Sequence, residues 1–464
     1  MQASALLPEI VLVLGALAVL LTGSFLRRRH LGRIRAATLL VLAGSAVAAV
    51  VQLDSPAQTV FNGTYAVDSA TGAARLIAVC ATALIVLLAG DELAGRARQA
   101  EICCLLLLAT LGAVVLAGAH DLLLVITGFL LASVPLYALV GLTRTAPAAE
   151  AAMKTYFYGS LFGIVLMAGV TVLYGVGGST RYTDLTASLP AAPTGALVFG
   201  AVAVLGGLMF KAGGVPGHFW VPDATQASSA VAAAYLTTIP KIGALVAAYR
   251  IVLILPGAAH APLLVGLFAV ASMTLGNLAA FTQDDPRRLL GWSTVSQVGY
   301  LLVPVAAAGR SELALPGLLV YLAGYAVTNV TAFAVVAAMP SRRTLTEYTG
   351  LFRSQPWLAA GLMVSLLGLV GTPPTAVFVG KLAVATAAWD SGAAWLTIAV
   401  LLNSVLSLFY YLRWIAPMIR TAAGHTSTRV SGYRSALVGA ALSVALGVLS
   451  AGLWQLFSGP PVGR

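Results

Sequence analysis

Residues 356–388 read PWLAAGLMVSLLGLVGTPPTAVFVGKLAVATAA. The run is apolar enough to cross a bilayer, yet longer than the roughly 20 residues that one straight helix needs. Gly371, Thr372, Pro373 and Pro374 interrupt it, and proline both removes a backbone donor and clashes with the preceding turn. Irregular backbone at membrane depth is tolerated only against protein or a hydrated cavity. Lys381 follows the interruption. A broken span with an ionisable residue near the break marks a binding or transport site in transporters. Bland kinks use the same breakers, but the lysine beside this one favours transport.

A second stretch has the same character. Lys211 precedes Gly213, Gly214, Pro216 and Gly217, and the run continues His218-Phe219-Trp220-Val221-Pro222-Asp223. His218 is either a structural hydrogen-bonder or, with Asp223, a group that passes protons between loop and channel. The residues alone leave both readings open.

Apolar runs recur along the whole chain, near 6–26, 36–53, 74–90, 102–119, 122–142, 153–175, 194–213, 227–255, 262–282, 289–308, 314–338, 356–388, 394–415 and 435–457. Hydrophobic residues make up 59% of the sequence and charged ones 9%, against about 25% charged in ordinary globular domains. This predicts an all-α polytopic membrane protein of about 14 spans, forming one membrane domain over 1–464. Helices are the only plausible spanning element here, because lipid offers backbone groups no partners. No basic residue precedes the first run and Arg27, Arg28 and Arg29 follow it, the reverse of a cleavable signal. It reads as a retained first span with its N-terminus outside.

The net charge of +11 fits arginine collected in cytoplasmic loops rather than nucleic-acid binding. With 14 spans, seventeen arginines fall on one side (27, 28, 29, 33, 35, 96, 98, 144, 287, 288, 342, 343, 353, 413, 420, 429 and 434). Five fall on the other (75, 181, 250, 310 and 464). This division predicts that both termini face outside the cytoplasm. Cys80, Cys103 and Cys104 lie in apolar runs, with no disulfide or metal-ligand spacing. No dinucleotide fingerprint, phosphate loop or iron–sulfur cysteine cluster is present. The sequence therefore predicts no catalytic redox site, no metal and no bound cofactor in this chain.

Only four lysines occur, Lys154, Lys211, Lys241 and Lys381, and all fall inside expected spans. Arginine stays charged in proteins, whereas a buried lysine can release its proton. Intramembrane ionisable groups usually line a hydrated path or pair with one another. The four lysines read as stations of a proton relay, with Lys154, close to its span's end, also fitting a snorkelling anchor.

Several stretches resemble the antiporter-like subunits of NADH–quinone oxidoreductase (respiratory complex I), most closely the subunit N family. They are Leu6-Leu7-Pro8-Glu9-Ile10-Val11-Leu12; Val134-Pro135-Leu136-Tyr137-Ala138-Leu139; Glu150-Ala151-Ala152-Met153-Lys154-Thr155-Tyr156-Phe157; Phe210-Lys211 and the run to Pro222-Asp223; Pro240-Lys241; Gly299-Tyr300-Leu301-Leu302; and Gly371-Thr372-Pro373-Pro374-Thr375 with Gly380-Lys381. Their order and spacing cover almost the whole chain. The resemblance implies two inverted five-helix repeats, 102–255 and 262–415, with helices 7 and 12 discontinuous. Lys211, Lys241 and Lys381 then correspond to the lysines of helices seven, eight and twelve, and Lys154 to a sixth-span lysine. Two positions depart from the family pattern. Leu130 stands where a glutamate usually pairs with the helix-seven lysine. Gln297 replaces a histidine often found in span ten.

The resemblance implies a membrane-arm subunit of a proton-pumping complex in a bacterial plasma membrane. Quinone, FMN, iron–sulfur clusters and NADH are then expected in partner subunits, both membrane-arm and hydrophilic. Two alternatives remain on the sequence: the large subunit of a multisubunit cation/proton antiporter or membrane-bound hydrogenase, or a non-conducting structural paralogue. Leu130 is the main support for the last.

Overall fold

The computed structural model describes residues 3–26, 32–53, 55–94, 98–420 and 428–459. Arg27, Arg28, Arg29, Arg96 and Arg464, which enter the arginine division, lie outside the described residues. Among the described residues, thirteen helices are long and apolar enough to cross a membrane. A fourteenth crossing is the interrupted twelfth span, built from Pro356–Val370 and Ala376–Asp390. The seventh is interrupted too: Thr194–Ala212 stops at Gly213, and a short helix, Trp220–Ala227, follows.

The unbroken spans are Leu7–Phe25, Gly32–Val51, Ser69–Leu88, Gln99–Gly118, Leu122–Gly141, Ala146–Gly177, Ala230–Ile254, Ala261–Ala280, Pro286–Ala306, Ala314–Ala338, Ala394–Ile419 and Val430–Val448. Acceptors in the sequence start several of them. Asp68, Asp121, Ser229 and Asp285 take backbone N–H groups in the first turns of spans three, five, eight and ten, donors that no helical carbonyl reaches.

Three local expectations change. The sixth span begins at Ala146, well before its apolar run, because Thr145 caps it and Pro147 suits its first turn. The last expected span divides into Val430–Val448 and a separate helix, Ser450–Phe457. The loop after span two holds a small antiparallel hairpin, β1 (Gln58–Val60) and β2 (Tyr65–Val67), with Thr59 opposite Ala66.

Burial sorts the spans. The apolar windows of spans eight, ten and eleven are each 94% buried, whereas those of spans one, two, six, thirteen and fourteen lie between 28% and 39%. The first group forms a central axis and the second group an exposed apolar rim. Side chains placed on that axis meet protein on all sides, so any polar group there needs a protein partner or water.

Candidate functional site

Both helix breaks are built alike. Gly213 (φ +79°) and Gly371 (φ +92°) end their half-helices in the left-handed conformation, where glycine carries no Cβ penalty. Their amides return to Met209 and Phe210, and to Leu367 and Gly368, respectively. Each glycine also lies against a lysine. A Cβ on Gly213 would sit 3.3 Å from Lys241 Nζ, and one on Gly371 would sit 2.8 Å from Lys381 Cδ. The prolines of the breaks, Pro216 and Pro374, follow cis peptide bonds, the second linking Pro373 to Pro374.

Lys211, Lys241 and Lys381 are 1%, 0% and 6% exposed. Among the described residues, their Nζ atoms meet only hydroxyl, carbonyl and aromatic groups. Lys211 donates to the Ser133 hydroxyl and lies 4.9 Å from the Phe129 ring centroid. Leu130 is 46% exposed and turned outward, because one residue along a helix rotates the side chain by about a quarter turn. Phe129 and Ser133, four residues apart, share the face toward Lys211.

Lys241 follows Pro240, whose ring nitrogen cannot donate to the Leu236 carbonyl one turn back. Lys241 Nζ takes that carbonyl instead, at 2.8 Å, and sits 5.1 Å above the Trp220 ring. Lys381 reaches back across its break to two carbonyls at the end of the first half-helix, Leu369 at 3.2 Å and Val370 at 2.8 Å. These carbonyls have no helical partner, and the helix terminus carries a negative partial charge that suits an ammonium. The Tyr300 ring lies 4.0 Å from Lys381 Nζ.

Polar side chains occupy the axis between Lys241 and Lys381. Asn329 donates to Thr237 and Thr238, each at 2.9 Å. Tyr325 donates to the Thr237 carbonyl at 2.8 Å and reaches Thr294 at 3.2 Å. Gln297 accepts from the Tyr321 hydroxyl at 2.7 Å and donates to the Leu369 carbonyl at 2.8 Å. Sequence reasoning missed this set, apart from Gln297. Isolated Ser, Thr and Tyr in apolar helices usually satisfy themselves on nearby carbonyls and leave no distinguishing pattern.

Lys154 departs from the expectation of an intramembrane station. Its side chain is 43% exposed and pairs with Glu150 at 2.7 Å and Asp223 at 3.2 Å. It stands at the rim of a vestibule of about 840 Å³ that Arg287, Arg288, Arg342 and Arg343 also line. Asp223 is shared with Arg288 at 2.7 Å. His218 does not join it. Its ring is buried against Phe219 and Trp292, 4.2 and 5.8 Å away, and Nδ1 has no hydrogen-bond partner among the described residues. Beside the vestibule, Glu347 accepts backbone N–H groups of Arg343 and Thr344, which hold its carboxyl below the usual range.

A second cavity, of about 540 Å³, is lined by His120, Tyr182, Arg250 and Arg310. Two buried ion pairs brace the same half of the molecule. Arg250 Nη2 meets Asp68 at 2.6 Å, and Arg75 Nε meets Glu9 at 2.7 Å, with the Tyr65 hydroxyl on the same Glu9 oxygen at 2.6 Å. Among the described residues, no group of three or more His, Cys, Asp or Glu side chains is placed to hold a metal ion.

Buried lysines at paired helix breaks, within fourteen crossings, define an antiporter-like membrane protein. The family model described as "NADH:quinone oxidoreductase/Mrp antiporter, TM" matches residues 119–407. NADH-quinone oxidoreductase subunit N of Mycobacterium sp. (strain JLS) is 54% identical over 458 residues, covering 97% of this chain and 97% of that one. Subunit N 1 of Streptomyces griseus is 49% identical over 451 residues, covering 96% and 95%. A chain from the structure of respiratory complex I of Thermus thermophilus with bound aureothin superposes with a TM-score of 0.84 at 29% identity, over 98% of this chain and 100% of that chain. The chain belongs to the subunit N family of NADH-quinone oxidoreductases.

Proposed function

We propose that this chain is a membrane-arm subunit of a proton-translocating NADH-quinone oxidoreductase and that Lys211, Lys241 and Lys381 pass protons along its central axis. The observation that carries this reading is the placement of the three lysines. Each is buried, none has a carboxylate against it among the described residues, and each sits at a helix break or a proline where backbone carbonyls or a hydroxyl receive its ammonium. A guanidinium held there could not give up its proton, whereas an amine can.

The two breaks support residues 102–255 and 262–415 as inverted repeats, each contributing one discontinuous helix. Electron transfer, with NADH, FMN, iron–sulfur clusters and quinone, then belongs to hydrophilic and membrane-arm partners in a bacterial plasma membrane. The vestibule with its cluster of arginines faces the cytoplasm and both termini face outside, in line with the arginine division. Lys154 and Asp223 serve as charged residues of the inlet. Identity to subunit N over nearly all of both chains favours the oxidoreductase over a free-standing cation antiporter. We read the Ser133 hydroxyl, both donor and acceptor, as the group that serves Lys211, which speaks against a non-conducting role.

The test is proton uptake per NADH oxidised in inverted membrane vesicles carrying Lys381→Arg or Lys241→Arg. Uptake is expected to fall while the complex still assembles. Wild-type uptake in both variants rules out a titrating role for these lysines.

A further inference from the structure

Asp223 lies on the short helix Trp220–Ala227, the second half of the broken seventh span. One carboxylate oxygen meets Lys154 Nζ at 3.2 Å and the other meets Arg288 Nη1 at 2.7 Å. Lys154 belongs to span six and Arg288 to span ten, so the carboxylate joins the two inferred repeats. Gln226, on the same half-helix, accepts from Arg288 at 3.0 Å and donates to Asp285 at 3.4 Å. All these groups line the vestibule. The side chains of Lys154, Asp223 and Arg288 are 43%, 28% and 31% exposed, and ion pairs this open to solvent are weak and readily exchanged.

The other end of the half-helix faces inward. Trp220 is 1% exposed. Its indole N–H donates to the Phe210 carbonyl at 3.0 Å, and its ring underlies Lys241 Nζ at 5.1 Å. Next to it, Val221 is fully buried and packs where a Cβ on Gly213 would fall, 2.7 Å away. One eight-residue element thus ties a solvent-accessible ion cluster to the aromatic cover of Lys241. It is joined to the rest of the seventh span by the glycine-rich link at 213–219, and hinges are made of a few such residues that absorb the backbone change.

We infer that Asp223 is the latch of a gate, a positioning residue that holds the half-helix closed while it bridges Lys154 and Arg288. When either pair breaks, the half-helix turns on the 213–219 link, Trp220 leaves Lys241, and water from the vestibule reaches the ammonium. The inference rests on the reading of Lys241 as a proton-carrying group, and adds what controls its access to one face of the membrane.

Two measurements on the assembled complex in vesicles test it. In the first, Val221→Cys reports opening through its reaction with a membrane-impermeant maleimide, against a background in which Cys80, Cys103 and Cys104 are serines. Adding Asp223→Asn is expected to raise the labelling rate about fivefold, the order expected when two weak ion pairs stop favouring the closed state. An unchanged rate overturns the latch. In the second, Gln226→Cys and Asp285→Cys are bridged by a bifunctional methanethiosulfonate that dithiothreitol releases. Proton uptake per NADH is expected to fall on bridging and return on release, an on-off reversal that a folding defect would not show. Normal uptake in the bridged state, alongside loss of uptake in Lys241→Arg, overturns the latch and leaves the relay reading intact. Blocked uptake in the bridged state, alongside normal uptake in Lys241→Arg, overturns the role of Lys241 and with it the latch as the control of access to that lysine.

Discussion

Gln297 and Lys381 meet on one acceptor, the Leu369 carbonyl, at 2.8 and 3.2 Å. The amide also holds the Tyr321 hydroxyl at 2.7 Å, so span ten is tied both to span eleven and to the break in span twelve. An amide at this position has no titrating proton at neutral pH, unlike a histidine. Gln297 therefore fixes the geometry around Lys381 without competing with it for a proton.

Replacing Gln297 by leucine leaves the buried Tyr321 hydroxyl without its acceptor. A buried group stranded in this way costs about 1–3 kcal/mol. Gln297→Leu is expected to lower the thermal stability of the purified complex by that order. Adding Tyr321→Phe, which removes the stranded hydroxyl, recovers part of the loss. Equal losses in the single and double variants would show that the two side chains are not coupled.

The fifth span offers a paired comparison. Ser133→Ala removes the hydroxyl that receives Lys211, and proton uptake per NADH is expected to fall with NADH oxidation less affected. Leu130→Ala changes a side chain that faces outward, and uptake is expected to stay at the native level. The reverse order of effects would mean that residue 130, not 133, serves Lys211.

Pro240→Ala restores an amide donor to the Leu236 carbonyl, in direct competition with Lys241 Nζ. The eighth span should gain helical stability, since proline in a helix interior costs about 3 kcal/mol relative to alanine. Lys241, displaced from its acceptor, should conduct less well. The expected result is a higher melting temperature together with reduced uptake. A rise in both would show that the Leu236 contact does not matter for transfer.

The sequence made the crossings and the breaks legible, because hydropathy, glycine, proline and intramembrane charge are local signals. Which face a residue takes is not local. Leu130 and Ser133 differ by three positions, yet one faces outward and the other meets Lys211. Ser133 also returns its hydroxyl to the Phe129 carbonyl at 2.6 Å, the ordinary habit of serine in a helix, so nothing in the sequence singled it out. Lys154 reads as intramembrane because the apolar run is counted from residue 153, whereas its helix already begins at Ala146. His218 and Asp223 are neighbours in sequence, but the short helix begins between them and sends the carboxylate to the rim. The ion pairs of Arg75 with Glu9 and Arg250 with Asp68 join residues 66 and 182 positions apart, a separation that no motif records.

The Arg250–Asp68 pair, with side chains 4% and 0% exposed, is expected to act structurally. Removing one member of a buried pair strands the other charge and costs about 3–5 kcal/mol, whereas removing both is often near neutral. Asp68→Asn alone should therefore destabilise the complex more than Asp68→Asn combined with Arg250→Met. Melting curves on the two variants check the ordering, with the hydrogen bond that the Thr71 amide donates to Asp68 accepted in each by the asparagine oxygen.

His120 should show where pH acts on this part of the fold. It is 5% exposed, its Nδ1 lies 3.1 Å from the Gly63 carbonyl and its ring 5.1 Å from that of Tyr182. Burial pushes its imidazole below the ordinary value, and the nearby Arg250 adds to that, while the Gly63 carbonyl, Asp68 and Asp121 act against it. The folded protein thus favours the neutral ring, and the unfolded chain binds the proton more readily. Stability from this residue is present above an ordinary histidine value near 6.5 and is lost as pH falls from there toward the lower folded value. Between about pH 7.5 and about pH 5.5, the native complex should lose more melting temperature than the His120→Gln variant, which has no proton to take up at that position. Equal losses in the two proteins would mean that protonation of His120 is not opposed by the fold, and that the acid sensitivity of this region resides in other groups.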